Sequence, residues 1–177
     1  MAGAVIVPHD AIGNNQSRTM PTIDPVEELT NLQLVFDGTL GRRVDVRLFF
    51  EEQVWPVEAD PEEMALAVES LCMNASDAMP AGGVLTITAR NVRAADPHGQ
   101  PRDFVRISVS DTGVGMRPEE RVPHFEAMFV PKAVPTAVLR LPNVYGFAEQ
   151  HGGHVAIAGG ARGGTTVTIV LPRAPRI

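Results

Sequence analysis

Apolar positions along this chain follow two rhythms. Val44-Asp45-Val46-Arg47-Leu48-Phe49-Phe50 alternates with the period of two expected of an edge or half-buried strand. Val84–Asn91 and Phe104–Ser110 read as two further strands, with Ala94–Arg102 and its Asp96-Pro97-His98-Gly99 as a hairpin-type connection. Between the first strand and the second, Asp60 and Pro61 open a helix in which Leu66, Met73 and Ala78, with Val68, Leu71 and Cys72, give a broad apolar surface. Glu62 and Glu63 suit the positive end of its dipole. An earlier helix starts at Asp24-Pro25-Val26-Glu27-Glu28-Leu29, continues through Leu32, Leu34 and Val35 towards Leu40, and is ended by Gly41. A short helix over Asn143–Gln150 stops at Gly152-Gly153. His154–Ala158 and Thr165–Leu171 then form a closing hairpin around Gly159-Gly160 and Gly163-Gly164.

Composition bounds this picture. The 177 residues suit one domain with a sizeable core, and 44% hydrophobic against 20% charged residues excludes wholesale disorder. A net charge of −6 without a basic cluster argues against a nucleic-acid surface. Cys72 is the only cysteine, so no internal disulfide can form, and its place in the core helix reads as packing. Ala2 to Val7 is apolar but short and lacks a basic lead, so neither a signal peptide nor a membrane insertion is expected, and the cytoplasm is the default location.

The candidate chemistry centres on Asp111-Thr112-Gly113-Val114-Gly115-Met116, directly after a strand. A carboxylate there can accept a hydrogen bond from an amino group such as that of adenine, and glycines let the backbone turn sharply and approach a ligand closely. The same pattern also occurs in ordinary turns. Upstream, Asn74 sits near the buried side of the helix opened by Asp60, and a buried amide must find partners. It either bonds a neighbouring loop or faces a metal or phosphate. His124, His151 and His154 show no metal-ligand spacing, and solvent-facing or turn positions are expected for them. Trp55 and Tyr145 read as core or groove-edge packing.

From about Ile23 onwards the chain resembles the ATP-binding catalytic domain of bacterial sensor histidine kinases, of the gyrase, chaperone and MutL ATPase superfamily. Asn74-Ala75-Ser76-Asp77-Ala78-Met79-Pro80-Ala81-Gly82-Gly83 is similar to an asparagine box of the form N-A-R-D-A-M-P-x-G-G, and the D-T-G-x-G-M box stands intact at Asp111 to Met116. Phe125 to Lys132 resembles the family's phenylalanine box, and Val144 to Val155 with Gly163-Gly164-Thr165-Thr166-Val167 resembles its closing helix and last hairpin. The resemblance implies an α/β two-layer sandwich of the Bergerat type, a mixed sheet covered on one face by about three helices, over residues 22–177 behind a flexible tail of residues 1–21. It also implies nucleotide contacts from Asn74, Asp77, Asp111, Gly113, Gly115, Met116, Lys132 and Thr165, with magnesium on Asn74 if ATP binds.

Departures from the family pattern concentrate on phosphate handling. Where the family carries a second glycine box, this chain reads Thr136-Ala137-Val138-Leu139-Arg140-Leu141-Pro142, with no glycine between Lys132 and Gly146. Val138 resists positive φ, and Pro142, expected at the first helical position, removes an N–H that could meet a phosphate. Ser70 stands four residues before Asn74, where the family has asparagine or an acid. Glu69 points about 100° away around the helix. Ser76 replaces an arginine of the subgroup. Residues Met1 to Pro21 cannot build the helical hairpin that carries a phospho-accepting histidine, so His9 is not expected to be one.

Two function classes follow. One is a degenerate domain in two-component or phosphorelay signalling, with weak or no ATP binding, acting as a protein-interaction module. The other is an active kinase subunit, using ATP or ADP with magnesium, that phosphorylates a histidine on a separate chain. Either would meet a histidine-bearing phosphotransfer domain or a response regulator, and a homodimer is compatible with both. The apolar segment Ala133–Leu139, with Val134, Val138 and Leu139, either collapses as core over the pocket or offers a partner surface.

Overall fold

A computed structural model describes residues 20–40, 43–95, 100–115, 141–159 and 163–175. The chain order is β1 (Thr22–Ile23), α1 (Pro25–Thr39), β2 (Val44–Phe50), β3 (Val57–Glu58), α2 (Pro61–Asp77), β4 (Gly83–Ala95), β5 (Pro101–Asp111), α3 (Leu141–Gln150), β6 (His154–Gly159) and β7 (Thr165–Pro172). Both long helices start as their sequences dictate. Asp24 accepts a hydrogen bond from the Val26 N–H at 2.8 Å, and Asp60 accepts from Glu62 at 2.9 Å and Glu63 at 3.2 Å. Each cap satisfies donors that the first helical turn leaves without partners. Pro142 falls in the first turn of α3, one residue after Leu141 rather than at the start.

Five strands make one sheet in the order β2-β4-β5-β7-β6, with β2 and β4 parallel and the other pairs antiparallel. The parallel pair requires a crossover, and α2 supplies it. Alternation sorts the sheet into two faces. Leu85, Ile87 and Ala89 of β4, Val105, Ile107 and Val109 of β5, and Ile169 and Leu171 of β7 are buried against the helices. The helices answer with Leu29 and Phe36 from α1, Met64, Val68, Leu71 and Cys72 from α2, and Val144, Phe147 and Ala148 from α3. Full burial of each large aliphatic side chain contributes about 1.5–3 kcal/mol. On the opposite face, hydroxyl pairs Ser108–Thr168 at 2.9 Å and Ser110–Thr166 at 2.8 Å tie β5 to β7. Among the described residues the chain forms the expected α/β layering, a mixed sheet with three helices.

Several sequence expectations need correction. Leu66 belongs to the apolar pattern of α2 yet is 61% exposed, because its face of the helix turns away from the sheet. His151 lies in a turn, as anticipated, but its side chain is buried rather than solvent-facing. Its Nδ1 lies 2.7 Å from the Phe147 carbonyl, and its Nε2 accepts the Asp60 N–H at 3.3 Å, which joins the end of α3 to the start of α2. The short antiparallel pair β1–β3 had no counterpart in the sequence pattern. The strands β4 and β5 run further than expected, pairing from Leu85–Asp111 to Ala95–Pro101. Residues 1–19, including His9, and the hairpin tip at 96–99 lie outside the described residues, as do Gly41 and His124.

Candidate functional site

The C-terminal ends of α2 and β5 and the start of β7 meet at one place. Asp111 closes β5, and its Oδ1 accepts the Gly113 N–H at 2.8 Å. The Thr165 backbone N–H also donates to this carboxylate. Burial raises the Asp111 pKa above the ordinary aspartate value, and the two backbone hydrogen bonds oppose that rise without cancelling it. The result is a half-buried, oriented acceptor at the mouth of the sheet.

The loop after Asp111 is clamped from two sides. The Val114 N–H donates to the Ala78 carbonyl at 3.1 Å, and the Gly164 N–H donates to the Gly113 carbonyl at 2.9 Å. Gly113 lies so close to the Ala78 carbonyl that a Cβ would collide with it, and Gly164 stands in the same relation to the Asp111 carbonyl. Gly115, Gly163 and Gly164 have φ of +74°, +93° and +81°, a region that favours glycine. Thr112 adds a third tie, since its Oγ1 accepts the Val84 N–H at 3.0 Å and donates to Met79 Sδ at 3.6 Å. The D-T-G-x-G stretch is therefore a built loop held by backbone bonds, beyond an ordinary turn.

One helical turn back from Ala78 lies Asn74, whose carbonyl receives the Ala78 N–H at 3.1 Å. The Asn74 side-chain Oδ1 is buried and has no hydrogen-bond partner among the described residues. An orphaned buried amide oxygen costs stability unless something binds it, and a hard oxygen is the ligand type that magnesium takes. The donor set thus fits a magnesium ion completed by nucleotide phosphates and water. Among the described residues no group of three or more His, Cys, Asp or Glu could hold a metal by itself. Ser70, one turn further back, donates its hydroxyl to the Leu66 carbonyl at 2.8 Å. Its proton is committed to its own helix.

The structure brings together Asn74, Asp111, Gly113, Gly115 and Thr165 of the residues expected at the site. Asp77 is exposed at the end of α2 and makes an interaction of its own. Met116, Lys132 and the segment with Val134, Val138 and Leu139 lie outside the described residues. Sequence reasoning missed the clamp partners Ala78 and Gly164 and the tie through Thr112. Gly163-Gly164 carried a visible signal but was read only as a turn, whereas a backbone carbonyl such as that of Ala78 leaves no mark in a sequence.

Comparison with known proteins places this geometry in a family. Residues 59–175 match the family described as histidine kinase-, DNA gyrase B-, and HSP90-like ATPase. The chain is 32% identical to the sensor kinase CckA of Brucella abortus across 92% of its own length and 18% of that protein. It is 31% identical to the sensor histidine kinase ZraS of Escherichia coli strain K12, covering 80% of this chain and 28% of ZraS. It therefore spans less than a third of the length of these two relatives. The mycobacterial sensor histidine kinase MprB structure superimposes with a TM-score of 0.66 at 24% identity, covering 89% of this chain and 99% of that one, which supports the fold. Among the described residues no helix is long and apolar enough to cross a membrane. With its mixed sheet, its clamped aspartate loop and its asparagine helix, the chain belongs to the histidine kinase-, DNA gyrase B-, and HSP90-like ATPase family.

Proposed function

We propose that this domain keeps the adenine-recognising half of the family site and has lost much of the phosphate-handling half. It then binds nucleotide weakly or not at all and acts as a protein-interaction module in a two-component or phosphorelay pathway. The carrying observation is an asymmetry. Asp111 is oriented by the Gly113 and Thr165 N–H groups, while the Ser70 hydroxyl, a poor base at neutral pH, donates its proton back to Leu66 O at 2.8 Å within its own helix. In this reading Asp111 accepts the adenine amino group, and Gly113 and Gly115 let the backbone approach the ring. The glycine-free sequence from Ala133 to Leu141 points the same way, because a triphosphate needs convergent backbone donors.

One observation favours the active alternative, in which the domain phosphorylates a histidine on a separate chain. The partnerless buried Oδ1 of Asn74 is ready for a cation. Magnesium bound there would neutralise phosphate charge, while Asn74 would hold and orient it. The partners in either case are a histidine-bearing phosphotransfer domain or a response regulator, in the cytoplasm, with homodimerisation compatible with both. Equilibrium binding of ATP and ADP, with and without magnesium, separates the readings. Weak, similar binding of both nucleotides with little help from magnesium is expected. Tight ATP binding that depends on magnesium and on Asn74 overturns the degenerate reading.

A further inference from the structure

At the far end of β5 from Asp111 a second cleft opens, with a volume of about 340 Å³. It is lined by Arg93, Pro101, Arg102, Asp103, Arg173 and Ala174. Asp111 lies eight residue steps along the strand from Asp103, a span of about 27 Å, so the two sites are independent. Both oxygens of Asp103 are already taken. Oδ1 accepts Arg93 Nε at 2.9 Å, and Oδ2 accepts Arg173 Nη1 at 3.2 Å.

Each of those bonds uses a single N–H from a guanidinium that has five. Arg102 makes no ion pair among the described residues, so three arginines face the cleft against one carboxylate. This local excess of positive charge stands out in a chain with 15 basic and 21 acidic residues. Arg173 is also held in place: its guanidinium lies 4.5 Å from the Trp55 ring centroid, and its side chain is 17% exposed. Its Nε is buried and has no acceptor among the described residues. A fixed, planar guanidinium with donors to spare is suited to bidentate oxyanion recognition.

We propose that the cleft binds a phosphate-class oxyanion, held by Arg93 and Arg102 at the rim and oriented against Arg173, with Asp103 positioning Arg93 and Arg173. The bound group is either free phosphate or a phosphomonoester on another molecule. The test is calorimetric titration of the full chain with inorganic phosphate and, separately, with phosphoserine, at constant ionic strength made up with chloride. Saturable binding is expected, with a dissociation constant on the order of 1 mM, as suits a solvent-open site. Arg93→Gln and Arg102→Gln, both at exposed positions, should each weaken it at least about fivefold, because bidentate charged contacts carry the recognition. Asp111→Asn should leave it unchanged. Tighter binding of phosphoserine than of phosphate supports the ester source, and the reverse supports the free ion. A response no different from chloride, retention of binding in both arginine variants, or loss in Asp111→Asn overturns the proposal.

Discussion

Replacing Gly164 by alanine tests whether the aspartate loop is held by its neighbours or merely rests beside them. Gly164 has φ of +81°, and a Cβ built there runs into the Asp111 carbonyl. The left-handed backbone alone costs a non-glycine residue about 1–2 kcal/mol. Relieving the overlap means moving β7 away from β5 or the loop away from Ala78, a form of overpacking that costs about 1–3 kcal/mol. The expected destabilisation is therefore roughly 2–5 kcal/mol, measured as the shift in midpoint of urea unfolding at unchanged slope. Gly146 is the control, since it sits inside α3 and a methyl group added there would meet nothing within 4 Å. Gly146→Ala should stabilise by about 0.5–1 kcal/mol, the usual gain of alanine over glycine in a helix interior. If Gly164→Ala unfolds within about 0.5 kcal/mol of the parent, the clamp is not rigid and the loop is not held by its neighbours.

Four further outcomes follow from the site and the core. If Asp111 accepts the adenine amino group as proposed, it must be ionised, and burial has raised its pKa in the fold, so any nucleotide affinity should fall on acidification at a pH above that where an ordinary aspartate titrates. A raised folded pKa also means that this carboxyl favours the fold when protonated and loses that contribution as pH rises through the folded value. Asp111→Asn should thus be at least as stable as the parent at pH 7 while abolishing nucleotide binding; a clear loss of stability at that pH contradicts the sign. Asn74→Ala removes an oxygen without a partner, so it should shift stability by less than about 1 kcal/mol yet erase any magnesium dependence of binding measured by calorimetry. Leu66→Lys should leave stability within about 0.5 kcal/mol, whereas Leu71→Ala, at a position 2% exposed, should lose about 2–5 kcal/mol; comparable losses from both would show that Leu66 is covered.

Much of the fold was legible because its signals are local. Asp60-Pro61 announces a helix start through a side-chain cap, and Val44–Phe50 announces a strand through its alternation. The positions that misled are those decided by distant parts of the chain. Leu66 fits the apolar pattern of α2, but only the placement of the sheet decides which face is covered. His151 looks like any turn histidine until the Asp60 N–H arrives from α2. A two-residue strand such as β1 has no periodicity to read. The site was legible where chemistry resides in side chains, at Asn74 and Asp111. It was illegible where backbone does the holding, at the Ala78 carbonyl, and Gly164 showed only as a turn.

The clamp also sets an order of assembly. Its parts come from the end of α2, the end of β5 and the start of β7, and β7 is inserted between β5 and β6 although it is the last strand in sequence. Helix α2 and the β4–β5 hairpin depend on near neighbours and can form early. The bond from Gly164 to Gly113 must wait until a long stretch of chain has been closed, which is entropically slow. The geometry of the aspartate loop is therefore expected to be among the last features the domain acquires during folding and among the first it loses when the β6–β7 hairpin loosens. The amides of Val114 and Gly164 should gain and lose hydrogen-exchange protection together, so the binding loop is in effect a built-in reporter of whether the final strand is in place.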